Sequence, residues 1–377
     1  MLTKERIKSI AQEVGFHACG IAEPQSLAAA EAKLKTWIEQ GKHGEMKYLE
    51  RYEERKADFW SRFPAVKSII VLGVNYHSND SHSRESEISN PVIPASFRRE
   101  SRNNGSPIKT FGDDSGLKGK VARYAWGRDY HKLISEKIEV LKEKLKRETS
   151  DDIYFESAVD TKPLLERTFG QRAGLGFIGK QTQLLSLQFG PWLFLSELIT
   201  NLELEPDQPY NGSCGTCRLC IEECPTQAIE ESGEIDARKC IAYLTIEHKT
   251  EIPVELRSKI GNWVFGCDEC LNVCPYTAKQ KETNWKELTS QSGFGPEFNL
   301  LELFNLKSNR QHEDQFRDTA VSRVNRKQLL RNAAIVLGNK AGQSALPVLK
   351  RAVSEVPSMV RDHIEWAIGE IERRNND

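Results

Sequence analysis

The sequence predicts an α+β protein in three parts, and three observations carry that reading. Up to residue 200, apolar runs of strand character alternate with amphipathic helical stretches. Eight of the nine cysteines are then confined to residues 214–274. From residue 328 onward, short amphipathic helices follow one another with small connections. The corresponding segments are 1–200, an α/β region; 201–290, a cysteine module; and 291–377, an α-helical tail.

The chain of 377 residues is long enough for two or three domains, each with a core. Its net charge of −1 excludes a global field that would recruit a polyanion, so any nucleic-acid surface must be a local patch. MLTKERIKSIAQEVGF reads as a helix with Thr3 as N-cap, Gly15 as stop, and Ile7, Ile10, Ala11 and Val14 on one face. It lacks the apolar core and the twin arginines of an export signal. SIIVLGV and PWLFLSELI are too short to span a bilayer. The expectation is a cytoplasmic monomer with no membrane contact.

VKSIIVLGVNY (66–76) reads as a buried β-branched strand, and DIYFESAVDT and PWLFLSELIT contain two more. Residues 130–147 form a helix with Leu133, Ile134, Ile138, Leu141 and Leu145 on its apolar face. The polar stretch 77–120 reads as a surface loop, or as a substrate-facing lid carrying Arg98, Arg99 and Arg102.

Two near-motifs are informative by their failures. GLGFIGK (174–180) has the spacing of a dinucleotide fingerprint but follows a helical stretch, KPLLERTFGQRA, rather than a strand. As a phosphate loop it fails because Gln181 stands where magnesium needs Ser or Thr. A close-packed glycine turn is the better account. DYHKLI (129–134) approaches D-x-H-x-x-G, a pattern that presents histidine to cobalamin, but Ile134 replaces the glycine, so His131 is not assigned as a ligand.

Cys214-x2-Cys217-x2-Cys220-x3-Cys224-Pro225 is the bacterial ferredoxin run, whose fourth cysteine serves the other cluster when two are present. Cys240 and then Cys267-x2-Cys270-x3-Cys274-Pro275 complete the count. Cys214, Cys217, Cys220 and Cys274 make one [4Fe–4S] site; Cys224, Cys240, Cys267 and Cys270 make the other. Structural zinc takes cysteine pairs with longer spacers and fits less well. Cys19 stands apart and reads as an inert buried thiol. Two neighbouring clusters form a wire for single electrons.

In the tail, QLLRNAAIVLG, SALPVLKRAV and SMVRDHIEWAIGEI resemble HEAT-like repeats. Residues 319–354 hold seven Lys/Arg and no Asp/Glu, a local patch suited to phosphate. Arg323, Lys327 and Arg331 are the contact candidates.

Taken together, ARYAWGRDYHKLI, AVDTKPLLERTFGQRAGLGFIGKQTQLLS, ELITNLELEPD, CGTCRLCIEECPTQAI, RKCIAYLTIE, IGNWVFGCDECLNVCP and LLRNAAIVLGN resemble the epoxyqueuosine reductase family, in its order and over nearly the whole chain. The resemblance implies a cobalamin domain related to reductive dehalogenases, a two-cluster ferredoxin-like module and a HEAT-like tail that grips tRNA. It implies reduction of epoxyqueuosine to queuosine at the tRNA wobble position, with cobalamin charged through the two [4Fe–4S] clusters by a low-potential electron donor. Asp160 matches the family's proton donor, a role that needs a pKa raised by an apolar setting, for which Phe155, Ala158 and Val159 are the candidates. The plainer role for Asp160 is to cap a helix beginning at Lys162. Arg55, Ala122, Asp160, Leu184 and Leu195 should lie against the corrin. The polar stretch 77–120 is longer than the family usually has. Two other readings stay open: a reductive dehalogenase, and an electron-transfer module on a tRNA-binding scaffold.

Overall fold

The structure, a computed structural model, describes residues 2–25, 27–79, 117–277 and 280–376. The lid reading with Arg98, Arg99 and Arg102 lies outside the described residues. In chain order the elements are α1 (Lys4–Val14), β1 (Ala18–Ala22), α2 (Ala28–Glu39), α3 (Tyr52–Ser61), β2 (Ser68–Asn75), β3 (Lys118–Val121), α4 (Tyr130–Lys146), β4 (Phe155–Ala158) and α5 (Glu166–Arg172). Then follow β5 (Phe177–Ile178), β6 (Leu184–Leu185), β7 (Leu193–Thr200), α6 (Leu219–Glu222), α7 (Ile241–Ile246), α8 (Val254–Arg257), β8 (Trp263–Phe265) and α9 (Glu269–Asn272). The chain finishes with β9 (Glu297–Asn299), α10 (Leu300–Leu303), α11 (Asn309–Phe316), α12 (Arg326–Lys340), α13 (Leu346–Ala352) and α14 (Ser358–Asn376).

These elements form two units. One comprises residues 1–77, 130–238 and 269–284; the other comprises 78–129, 239–268 and 285–377. The chain crosses between them repeatedly, so the units do not follow the contiguous segments 1–200, 201–290 and 291–377 drawn from the motifs.

The first unit is organised by a four-stranded sheet of order β1-β2-β7-β4. Every pairing in it is antiparallel. β2 is buried at all eight positions, as its β-branched run requires. α5 covers one face, where Phe169 and Ala173 pack with Ile69 and Val71. α1 forms as its sequence predicts. Thr3 Oγ1 accepts the Arg6 N–H, Gly15 closes the helix at φ 109°, and Ile7, Ile10, Ala11 and Val14 are buried. The glycine turn after α5 is close-packed: a Cβ on Gly176 would stand 2.2 Å from the Leu185 carbonyl oxygen.

The second unit packs α12, α13 and α14 with a three-stranded sheet of order β8-β3-β9. A capping box between Asn325 and Gln328 starts α12. Its polar face does unusual work. Arg331 is fully buried, and its guanidinium donates to the carbonyls of Leu244 (2.7 Å), His248 (2.8 Å) and Thr250 (2.7 Å) and to Asn332 Oδ1. Leu244 lies in the last turn of α7 and His248 just past its C-cap, Glu247, where carbonyls lack intrahelical partners. Gln328 and Asn332 bond to further carbonyls of the same stretch, at Ile246 and Thr245.

The expectation that Arg331 contacts phosphate is therefore corrected: its charge is spent inside the protein. Arg323 and Lys327 remain exposed. Replacing Arg331 by Ala strands several buried carbonyls and lowers the unfolding free energy by about 3–5 kcal/mol. Lys327→Ala shifts it by less than about 0.5 kcal/mol, both read from denaturant unfolding curves.

Candidate functional site

Asp160 lies two residues beyond the end of β4. The chain turns sharply there: Thr161 N–H reaches the Val159 carbonyl (2.5 Å), and Asp160 adopts φ 53°. Aspartate tolerates this left-handed conformation better than most residues. The turn also settles the capping alternative. No helix starts at Lys162; α5 begins at Glu166, and residues 161–163 are bent chain.

The Asp160 side chain is partly exposed, at 39%. Its Oδ2 accepts the Tyr130 hydroxyl (3.0 Å) and lies 3.0 Å from His131 Nε2. Both partners come from the first turn of α4. Tyr130 is held by stacking, with His131 at 4.0 Å on one side and Phe194 of β7 at 4.1 Å, with an interplanar angle of 9°. Arg55 reaches the same turn, its Nη2 donating to the Thr161 carbonyl at 3.3 Å.

The apolar setting expected for Asp160 is instead found around two other carboxyls. Glu166 Oε1 accepts the Asp160 N–H at 2.7 Å. Burial, and the charge Asp160 carries when ionised, push its pKa up to about 7. Glu197 on β7 is completely buried, and neither oxygen has a partner among the described residues. Burial first, then Glu166 and Asp160, drive its pKa well above the usual range and favour its protonated form. Sequence reasoning missed Tyr130, Glu166 and Glu197 and did not connect His131 with Asp160.

Of the cysteines, Cys214, Cys217, Cys220, Cys224, Cys270 and Cys274 belong to the first unit, Cys240 and Cys267 to the second. Cys214 and Cys274 share an apolar pocket with Phe177, Leu185, Tyr210 and Tyr276. Cys220 and Cys274 are buried. Burial, reinforced by Cys214 and Cys217, raises the Cys220 thiol, and the same group of thiols surrounds Cys274. Four sulfur donors in one apolar neighbourhood fit an iron–sulfur cluster. Cys224 Sγ accepts the Ala228 N–H at 3.3 Å. Cys19 lies on β1, where desolvation pushes its thiol to about 12 and makes it inert.

Residues 213–277 match the family model described as 4Fe-4S double cluster binding domain, and residues 56–161 match epoxyqueuosine reductase QueG, DUF1730. The epoxyqueuosine reductase of Salmonella typhimurium is 35% identical over 98% of this chain and 89% of its own length. That of Pseudomonas aeruginosa is 35% identical over 97% and 93%. The chain belongs to the epoxyqueuosine reductase family. Solved structures agree. Epoxyqueuosine reductase from Streptococcus thermophilus superposes with a TM-score of 0.80 at 28% identity, covering 99% of this chain and 91% of that one. An epoxyqueuosine reductase crystallised with a tRNA-Tyr epoxyqueuosine-modified stem loop gives 0.79 at 28% identity, covering 98% and 90%.

Within this member of the epoxyqueuosine reductase family, the residues expected against the corrin are dispersed. Leu184 and Leu195 are buried and close on Gly170, where a Cβ would stand 2.9 and 3.5 Å from them. Arg55 is exposed beside the Asp160 turn. Ala122 belongs to the second unit, where its N–H donates to the Phe265 carbonyl at 2.8 Å. Next to Leu184 in sequence, Thr182 adopts φ 67° and the buried Gln181 leaves Nε2 without a partner. An apolar surface beside an orphaned amide suits an amide-bearing macrocycle such as cobalamin.

Glu166→Gln retains the acceptor for the Asp160 N–H and removes the titration. The folded-state pKa is raised, so the stabilisation by the bound proton is complete below about 4.5 and is lost as the pH rises through about 7. Between pH 5 and 8 the variant gains about 2–3 kcal/mol of stability relative to the wild type, read as the diverging midpoints of paired unfolding curves.

Proposed function

We propose that this chain reduces epoxyqueuosine in the tRNA anticodon to queuosine. The observation that carries the reading is 35% identity to epoxyqueuosine reductases over nearly the whole chain. The epoxide takes up two electrons and two protons and leaves as an alkene and water. When bound, cobalamin supplies the reduction at carbon, and the two [4Fe–4S] clusters supply its electrons singly.

The protein's own part is positioning and proton supply. Arg55, Ala122, Leu184 and Leu195 would hold the cobalamin, and Asp160 would serve the substrate. Cys214, Cys217, Cys220 and Cys274 hold one cluster; Cys224, Cys240, Cys267 and Cys270 hold the other. Opening the epoxide leaves an alkoxide oxygen, and Asp160 delivers its proton. Its contacts support that role: Tyr130 and His131 fix the carboxyl, and Glu166 anchors its backbone. The raised pKa values of Glu166 and Glu197 favour protons close to Asp160.

The helices α12 to α14 are read as a HEAT-like tRNA-binding region, with Arg323 and Lys327 on phosphates. No described helix is long and apolar enough to cross a membrane. We place the protein in the cytoplasm as a monomer served by a low-potential electron donor.

Anaerobic protein loaded with cobalamin and reduced in vitro should convert epoxyqueuosine-containing tRNA to queuosine, scored by nucleoside mass spectrometry. Asp160→Asn keeps the iron and the cobalamin spectrum but loses about 10²–10⁴-fold in turnover. Full iron and cobalamin with no queuosine formed by the wild type discards the tRNA assignment and moves the search to halogenated substrates.

Neutralising Arg323 and Lys327 together weakens tRNA binding and flattens its dependence on log salt by about one unit per lost phosphate contact. An unchanged slope in a filter-binding salt series removes them from the interface.

A further inference from the structure

GLGFIGK matches no nucleotide motif, and the reading above leaves its lysine without a task. The lysine is built into the first cysteine loop. Lys180 N–H donates to Cys214 Sγ at 3.4 Å. Its Nζ donates to the Gly215 carbonyl at 3.2 Å and the Cys217 carbonyl at 2.8 Å. The side chain is half-buried, and among the described residues no carboxylate pairs with it. Elsewhere in this unit the partly buried lysines find acids: Lys42 takes Glu230 and Glu234, and Lys56 takes Glu31 and Glu53. At Lys180 the ammonium is satisfied by carbonyls alone, so its charge stays uncompensated beside the loop that carries three of the thiolates.

We propose that Lys180 sets the reduction potential of the cluster held by Cys214, Cys217, Cys220 and Cys274. The inference rests on the reading that these four thiolates hold a [4Fe–4S] cluster. Reduction adds one electron, taken from a low-potential donor, to a cluster that is already anionic. A cation fixed nearby stabilises the reduced state more than the oxidised one, and so does an N–H donated to a ligating sulfur. Both act in the same direction and raise the potential. A lysine suits this better than a second sulfur donor would, because its three N–H groups let one residue brace the loop while keeping a full charge in place. Lys180 does not touch substrate; it is a positioning and tuning residue acting through the cluster.

The test is an anaerobic redox titration of the loaded protein followed by electron paramagnetic resonance, with iron content measured in parallel, on the wild type, Lys180→Met and Lys180→Arg. The expected result is full iron in all three. One midpoint moves to a more negative potential in Lys180→Met, so that its reduced-to-oxidised ratio at the wild-type midpoint falls by about threefold or more. The other cluster's midpoint stays in place, and Lys180→Arg stays close to the wild type. Unmoved midpoints overturn the proposal, as does an equal shift in Lys180→Arg, which would assign the effect to geometry rather than charge. Loss of iron from either variant also overturns it, making Lys180 a scaffold of the loop. A wild type without cluster iron overturns the cofactor reading itself, an outcome distinct from all of these.

Discussion

The pairing of β7 between β2 and β4 is the constraint on which the first unit depends. Eight residue pairs join β2 to β7, from Ser68–Thr200 to Asn75–Leu193, and β4 pairs with the opposite edge from Phe155–Thr200 to Ala158–Glu197. Because side chains alternate along a strand, this register sends Leu195 and Glu197 to one face of the sheet. It also ends β4 level with Glu197, so the turn that begins there presents Asp160 near the same place. Phe194, on the opposite face, supplies the stacking surface for Tyr130. A slip of one residue would move Glu197 off its face and strip Tyr130 of its stacking partner together.

That register explains why three carboxyls with different protonation behaviour occur so close together. Asp160 is reached by solvent and bonded by a hydroxyl and an imidazole. Glu166 is half-buried and titrates near neutrality. Glu197 is sealed between Val71 and Ala158 in the middle of the sheet. Burying an unpartnered neutral carboxyl costs on the order of 1–3 kcal/mol, and an apolar residue at 197 would avoid that cost. The site is thus less stable than it could be, as expected where local stability yields to chemistry. The gradient from exposed to buried runs from Asp160, through Glu166 with its pKa raised to about 7, to the sealed Glu197.

Much of this was legible in the amino-acid order, and the boundary falls where local pattern gives way to long-range packing. Helix α1, strand β2 and the apolar face of α4 follow from periodicity and caps, which are properties of neighbouring residues. The ferredoxin run is similarly local, because three thiolates on one loop need fixed short spacings. Asp160 was singled out, but its surroundings were not: Phe155, Ala158 and Val159 are its neighbours in sequence, whereas Tyr130, His131 and Glu166 are its neighbours in space. The helix expected at Lys162 fails because a left-handed residue and a tight turn at Thr161 break the helical path until Glu166. Glu197 carries no periodic signal beyond being a charge in an apolar run, ELI within LFLSELIT, and that anomaly was the clue available.

Arg331 shows most clearly how charge counted along the chain differs from charge available to a partner. The run from 319 to 354 is rich in Lys/Arg, but Arg331 is buried and donates to carbonyls in the last turn of α7 and just beyond it. The opposite end of α7 is capped by Cys240. Asn332, its neighbour, bonds to Val264 of β8, three residues before Cys267. Both segments that carry the second unit's cysteines are therefore pinned by one polar stripe of α12. A guanidinium is well suited to this because it has five donors in a fixed plane and no acceptor to satisfy. A lysine's donors all sit on one nitrogen, whereas the guanidinium spreads its donors over a plane wide enough to reach Leu244, His248 and Thr250 at once. What reads as a phosphate-binding arginine in composition is, in the fold, a clamp on the segments that carry Cys240 and Cys267.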